Sequence, residues 1–229
     1  MHEKVVKLLL QQRHTQPDMP DTGGRTALSW AAGNGCEGVV RLFLSRLFVN
    51  PGSIGRRWEK APQVMSVLFG RKYVNPDKPG SDGRTPLSWA AWNGSDGVVK
   101  LLLGRGDVSP DRPDNDGQTP LSWAAWNGSD GVVKLLLERR DVSPDRPDNY
   151  GRTPLLRAAG NGCNEVVNLL LEREDVSPDR PDNDGQTPLL LAVRNGREGA
   201  GDGKMLAPIS QTMMAEHRSR GPPRMGMME

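Results

Sequence analysis

The sequence predicts an all-α solenoid made of short helix–turn–helix units. Three observations carry this. Thr85, Thr119, Thr153 and Thr187 stand 34 residues apart. Residues 84–117 and 118–151 differ at only four positions, Arg84/Gln118, Gly104/Glu138, Gly106/Arg140 and Asp116/Tyr150. Each unit also holds two apolar helical patterns parted by Asn-Gly and closed by a proline-bearing turn. A fixed period of this length is the mark of a repeat architecture. Near-identity of two neighbours means that most of a unit is specified by stacking against a copy of itself.

Within a unit, TPLSWAA opens the first helix. Thr119 supplies a hydroxyl N-cap and Pro120 takes the first helical position, where its missing N–H costs nothing. Leu121, Ala124 and Ala125 follow at i, i+3 and i+4 and form one apolar face, whose alanines let a second helix come close. Asn127-Gly128 ends the helix, with glycine suited to the residue after the cap. The second helix, GVVKLLL, is apolar around much of its circumference, as expected with repeats on both sides. DVSPDRPDNDG then reads as a rigid, hairpin-like turn.

Laid along the chain, this pattern divides it as follows. Residues 1–25 are a half repeat, since Val5 to Leu10 align with a second helix 34 residues before Val39. Residues 26–50 form a repeat and 51–84 a degenerate one, because Thr26 to Thr85 is two periods less nine residues. Val64 to Gly83 fits a second helix and turn, whereas PGSIGRRWEKAPQ lacks TPL and AA, so a poorly packed first helix and an irregular insertion both stay open. Repeats at 85–118, 119–152 and 153–186 follow, then a truncated one at 187–199 and a tail at 200–229.

These residues resemble the ankyrin repeat family, whose signature is G-x-TPLHxAA…G…VVxLLL. The resemblance covers residues 1–199 with gaps and is most specific over the last four units. The wording DVSPDRPDNDGRTPLSWAAWNG is similar to ankyrin arrays of filamentous fungi. Two departures stand out. The family's histidine after TPL is replaced by Ser29, Ser88 and Ser122, and later by Leu156 and Leu190, so the interlock between neighbouring loops that it provides is expected to be weakened or absent. The family period is 33, so each turn here holds one residue more.

The tail follows a different logic. After Asn195-Gly196 a second helix is due, but the sequence is rich in Gly, Pro and Met. GAGDGK lacks the earlier glycine and the preceding strand of a phosphate loop. Read two nucleotides out of frame from Asp202, permitted codons spell R-E-D-V-S-P-D-K-P-D-N-D-G-R-T-P-L-S-W-A-A-E-N-G-H-D-G. Met213-Met214, Met214-Ala215, Met225-Gly226, Met227-Met228 and Met228-Glu229 force Asp, Gly, Gly, Asp and Gly, each where the repeat has that residue. The tail is therefore read as a repeat translated in the wrong frame, and as written it is expected to be disordered.

Several function classes fall away on the same reading. A formal net charge of +2 gives no basic footprint for nucleic acid or an anionic membrane. Apolar runs such as Leu101 to Leu103 are far too short to span a bilayer, and the N-terminal stretch has no signal-peptide pattern. His2, His14 and His217 have no partners at metal or triad spacing. DNDG is not a calcium loop, because Arg112 and Trp123 stand where acidic ligands are needed. Cys36 and Cys163 occupy one position of two different repeats, cannot bond within the chain, and fit a reducing intracellular compartment, cytoplasmic or nuclear. No enzyme signature remains, and no cofactor is expected.

The resemblance implies a non-enzymatic scaffold, expected to be monomeric, that binds another protein in a concave groove of turn tips and first helices. Its contacts are expected at Ser81, Asp82, Arg84, Trp92 and Asn93, then Asn115, Asp116, Gln118, Trp126 and Asn127, then Asn149, Tyr150, Arg152 and Asn161. Trp92, Trp126 and Tyr150 stand out, since aromatics are enriched at binding hot spots. The tryptophans stacking on one another as a shield is the alternative. Trp89, Trp123 and Trp30 precede the alanines and are assigned to packing. A second functional reading is a fragment of a larger fungal signalling or immune-receptor protein whose array is the sensor, with no independent function.

Overall fold

The computed structural model describes residues 2–12, 14–45 and 74–199. Among the described residues there are ten helices and no strands: α1 (Glu3–Gln11), α2 (Ala27–Gly33), α3 (Glu37–Leu44), α4 (Pro86–Trp92), α5 (Asp96–Leu103), α6 (Pro120–Asn127), α7 (Asp130–Leu137), α8 (Pro154–Gly160), α9 (Asn164–Leu171) and α10 (Pro188–Gly199). Met1–Ala192 form one compact unit, a solenoid of stacked helix pairs. Val193–Glu229 form a second unit, of which the end of α10 is described. The tail at 200–229 and residues 51–73 of the degenerate repeat lie outside the described residues.

The helices lie in two layers. First helices α2, α4, α6 and α8 contact one another in series, and second helices α1, α3, α5, α7 and α9 do the same. Each first helix also contacts the second helix of its own unit. The apolar residues dictate this. Leu87, Leu121, Ala90, Ala91, Ala124 and Ala125 are fully buried, as are Val98, Val99, Leu102, Val132, Val133 and Leu136 of the second helices. Truncating one such leucine to alanine costs about 2–5 kcal/mol in a well-packed interior. Val74, Val108, Val142 and Val176 anchor the long turns in the same cluster.

The helix ends follow from local chemistry. The side chains of Thr26, Thr85, Thr119 and Thr153, all buried, accept the backbone N–H three residues on. Gly35, Gly94, Gly128 and Gly162 take positive φ, and the chain reverses there. α10 departs from this rule. It runs through Asn195-Gly196 for 12 residues instead of stopping. The sequence beyond Gly196 lacks the VVKLLL-like helix that follows α2, α4, α6 and α8, so nothing rewards a reversal at that glycine.

The residues in the histidine's place make no bond to a neighbouring turn at Ser88 and Ser122, as expected. Ser88 and Ser122 turn inward to the capping threonines, with hydroxyl–hydroxyl distances of 3.1 and 3.2 Å. The turns are instead joined by asparagines. The backbone N–H of Asn115 donates to the Asp82 carbonyl at 3.0 Å, and its Nδ2 donates to the Ser81 carbonyl at 2.9 Å. Asn149 repeats both bonds to Asp116 and Asn115, and Asn183 to Tyr150 and Asn149. Gly83, Gly117 and Gly151 make this approach possible: each has positive φ, and a Cβ there would meet the next asparagine's N or Oδ1 at 2.5 to 2.9 Å. A second ladder pairs Arg112, Arg146 and Arg180 with Asp77, Asp111 and Asp145 of the preceding unit, each at 3.3 Å.

Candidate protein-binding surface

The turns at Asp21, Asp114, Asp148 and Asp182 each place an aspartate that organises the residues around it. Asp114 Oδ1 accepts the N–H groups of Asp116 at 3.0 Å and Gln118 at 2.9 Å, and the turn closes through Gly117 N–H to the Asp114 carbonyl. The second oxygen then points to the first helix. Asp114 Oδ2 accepts the indole N–H of Trp123 at 2.9 Å, and Asp21 Oδ2 accepts that of Trp30 at 2.8 Å. Asp148 Oδ2 accepts from Arg152 Nε at 3.1 Å and from the Arg157 guanidinium. The rule is an acceptor nine residues before the side chain it holds.

Arginines stack on this row. Arg25 lies 3.7 Å from the ring centroids of both Trp30 and Trp89. Arg84 lies 4.8 Å from Trp89, 5.3 Å from Trp92 and 3.9 Å from Trp123. Arg157 lies 4.5 Å from Trp126, and Arg152 lies 4.4 Å from Tyr150. The rings also meet directly, Trp92 to Trp123 at 4.6 Å and Trp123 to Trp126 at 6.4 Å. Alternating cations and aromatic faces attract through the ring quadrupole, more strongly where water is excluded. Burial, with the nearby Arg152 charge, brings the Arg157 guanidinium down to about 10 against the pull of Asp148. Burial holds Asp114 above the usual carboxylate range.

The expected contact residues fall into three groups. Ser81, Asn93, Asn115, Asn127, Asn149, Tyr150 and Asn161 are exposed. Asp82, Arg84, Trp92, Asp116, Trp126 and Arg152 are half-buried. Gln118 has no exposed surface, and both polar atoms of its amide lack a protein partner. It cannot serve as a surface contact, although Arg84 at the same position of the previous unit keeps part of its side chain exposed. Asn115 and Asn149 reach the surface, but their Nδ2 groups are spent on the turn ladder.

The packing assignments also sort differently. Trp123 is 1% exposed, as a core residue should be. Trp30 is 46% exposed, which corrects its assignment to packing. Arg25 covers one of its faces, while Trp123 has Arg84 and two further indoles around it. Trp89 is half-buried, and its indole nitrogen is buried without an acceptor because Gly80 stands where other turns have aspartate.

Sequence reasoning took the aspartates for turn formers and passed over Arg25 and Arg157. A signal was present. Five residues before each capping threonine stand Asp21, Gly80, Asp114, Asp148 and Asp182, and four residues after it stand Trp30, Trp89, Trp123, Arg157 and Leu191. Every donor retained in that second series, except Trp89, has a carboxylate in the first.

Among the described residues, no group of His, Cys, Asp and Glu could hold a metal ion, and no helix is long and apolar enough to cross a membrane. A family model for ankyrin repeats in three copies matches residues 59–148 and 140–201. A model for the single ankyrin repeat matches residues 23–55. None of the curated proteins matches the chain.

Proposed function

The chain belongs to the ankyrin repeat family, and from that membership we propose that it is a scaffold receiving another protein in a concave groove of turn tips and first helices. Ankyrin repeats are generally protein–protein interaction modules, and proteins built from them are typically non-enzymatic. The observation that carries the groove reading is the placement of Trp92 and Trp126. Both are half-exposed, and both rest on the buried indole of Trp123. An aromatic held in place before binding loses little freedom on contact, which is what a hot spot requires.

Around them the reading assigns contacts to Ser81, Asp82, Arg84 and Asn93, to Asn115, Asp116 and Asn127, and to Asn149, Tyr150, Arg152 and Asn161. The wording of the turns supports a fungal-type array. Capture experiments with the wild-type chain and the variant carrying Trp92→Ala and Trp126→Ala test the groove. Loss of capture with unchanged helical circular dichroism is the expected result. Retained capture, or loss of helicity in the variant, would assign these tryptophans to shielding the array.

A further inference from the structure

The chain departs from its own repeat at two places that meet on one carboxylate. Tyr150 stands at a turn tip where three other turns have Asp82, Asp116 and Asp184. Arg157 stands where the earlier first helices have Trp30, Trp89 and Trp123. At the preceding junction the equivalent carboxylate serves the interior. Asp114 Oδ2 accepts the indole N–H of Trp123, which is buried, and Arg84 divides itself between Asp82 and Asp114, both at 3.6 Å.

Asp148 works towards the surface instead. Its Oδ1 accepts the N–H groups of Tyr150 and Arg152, both at 2.9 Å. Its Oδ2 accepts from Arg152 Nε at 3.1 Å and from the Arg157 guanidinium. Arg152 lies 4.4 Å from the ring centroid of Tyr150, and Arg157 lies 4.5 Å from that of Trp126. Each arginine on this carboxylate thus backs one ring. Tyr150 is exposed and Trp126 half-buried, whereas Asp148 and Arg157 are closed off from water. A guanidinium bonded to a fixed carboxylate in a dry site has little freedom, and a ring stacked on it inherits that order. The backbone of Trp126 is held as well, since Asn161 Nδ2 donates to its carbonyl at 2.9 Å.

We infer that Asp148 is a positioning residue which, through Arg152 and Arg157, sets Tyr150 and Trp126 as one paired contact. The use of the two rings rests on the groove reading above; what holds them does not. Asp148 and Arg157 are not among the groove contacts and act only through the rings they order. Rings fixed before contact lose less freedom on binding, so the pair favours a partner that covers both over one that touches either alone.

The test follows the rings themselves, in the full chain labelled with 5-fluorotryptophan and 3-fluorotyrosine, by ¹⁹F magnetic resonance. Trp126→Phe and Tyr150→Phe assign the two signals. Arg157→Leu is expected to move the Trp126 signal towards its position in the urea-unfolded chain, and Arg152→Leu to move that of Tyr150. Asp148→Asn should move both, while the signals of Trp30 and Trp89 stay in place. Should Asp148→Asn fail to fold, the chain carrying both arginine substitutions keeps the bonds to Asp148 Oδ1 and must move both rings. An unmoved ring, or an equal movement at Trp30 and Trp89, would overturn the inference. No partner enters this measurement, so a failed capture experiment leaves its result standing, and an unmoved ring leaves the groove reading standing.

Discussion

The indole N–H of Trp123 donates to the buried carboxylate of Asp114 across 2.9 Å. Trp89 has the same position and no such acceptor, because Gly80 replaces the aspartate. An unmet buried donor costs about 1–3 kcal/mol. Gly80 does not have positive φ, and a Cβ there would meet only the movable Asp82 carboxylate within 3 Å. Gly80→Asp should therefore raise stability by about 1 kcal/mol or more, partly through reduced freedom of the unfolded chain. Urea denaturation of the two chains measures the difference. A loss of stability would mean that Asp82 cannot give way.

Among the described residues, Asp148 and Arg157 form the most buried ion pair, with side-chain exposures of 0% and 2%. Removing one partner of such a pair leaves a buried charge and typically costs about 3–5 kcal/mol. Asp148→Ala also frees the N–H groups of Tyr150 and Arg152. It is expected to cost at least that range. Arg157→Leu leaves those turn bonds in place and leaves Asp148 paired with Arg152 Nε at 3.1 Å, so it should cost clearly less. Equal losses from the two variants would show that the ion pair, and not the turn, sets the cost.

Acid gives a third expectation. Burial holds Asp18, Asp77, Asp111 and Asp114 above their ordinary value of 3.8. The folded chain thus binds protons more readily than the unfolded one, so stability rises as pH falls through these raised values and is fully gained below 3.8. Asp21, Asp141 and Asp175 are lowered by their hydrogen bonds to Trp30, Arg139 and Arg173, and their contribution is lost only below 3.8. The urea midpoint should rise on going from neutral pH toward about 4 and fall below it. Asp77→Asn should reduce the rise.

The helices, their caps and the alanine contacts were legible because each depends on residues close in sequence. Thr119, Pro120 and Gly128 act on the backbone next to them, and a repeated leucine marks a repeated interior. The partners of the tryptophans were less so. Asp114 reaches Trp123 only after the turn has closed on Asp114 Oδ1, so the pairing is a product of the turn and not of helical spacing. Gln118 and Arg84 share a position yet differ in exposure, Gln118 being fully buried and Arg84 partly open. Trp123 is covered by Arg84 and Trp92 of the preceding unit. A repeat position fixes where a side chain leaves the backbone, while its neighbours decide whether water reaches it.

The asparagine ladder gives the turns of Asn115 and Asn149 two unlike edges. One offers the N–H and Nδ2 of an asparagine, and the other offers the carbonyls that the next asparagine takes. A copy of the unit placed within this stretch therefore meets a ready counterpart on either side. A gene that gains or loses one whole segment leaves no mismatched seam to repair by later mutation. Units 84–117 and 118–151, which differ at four positions, carry that history in their sequence. Array length is then a trait that recombination can alter in single steps, without a search through damaged intermediates.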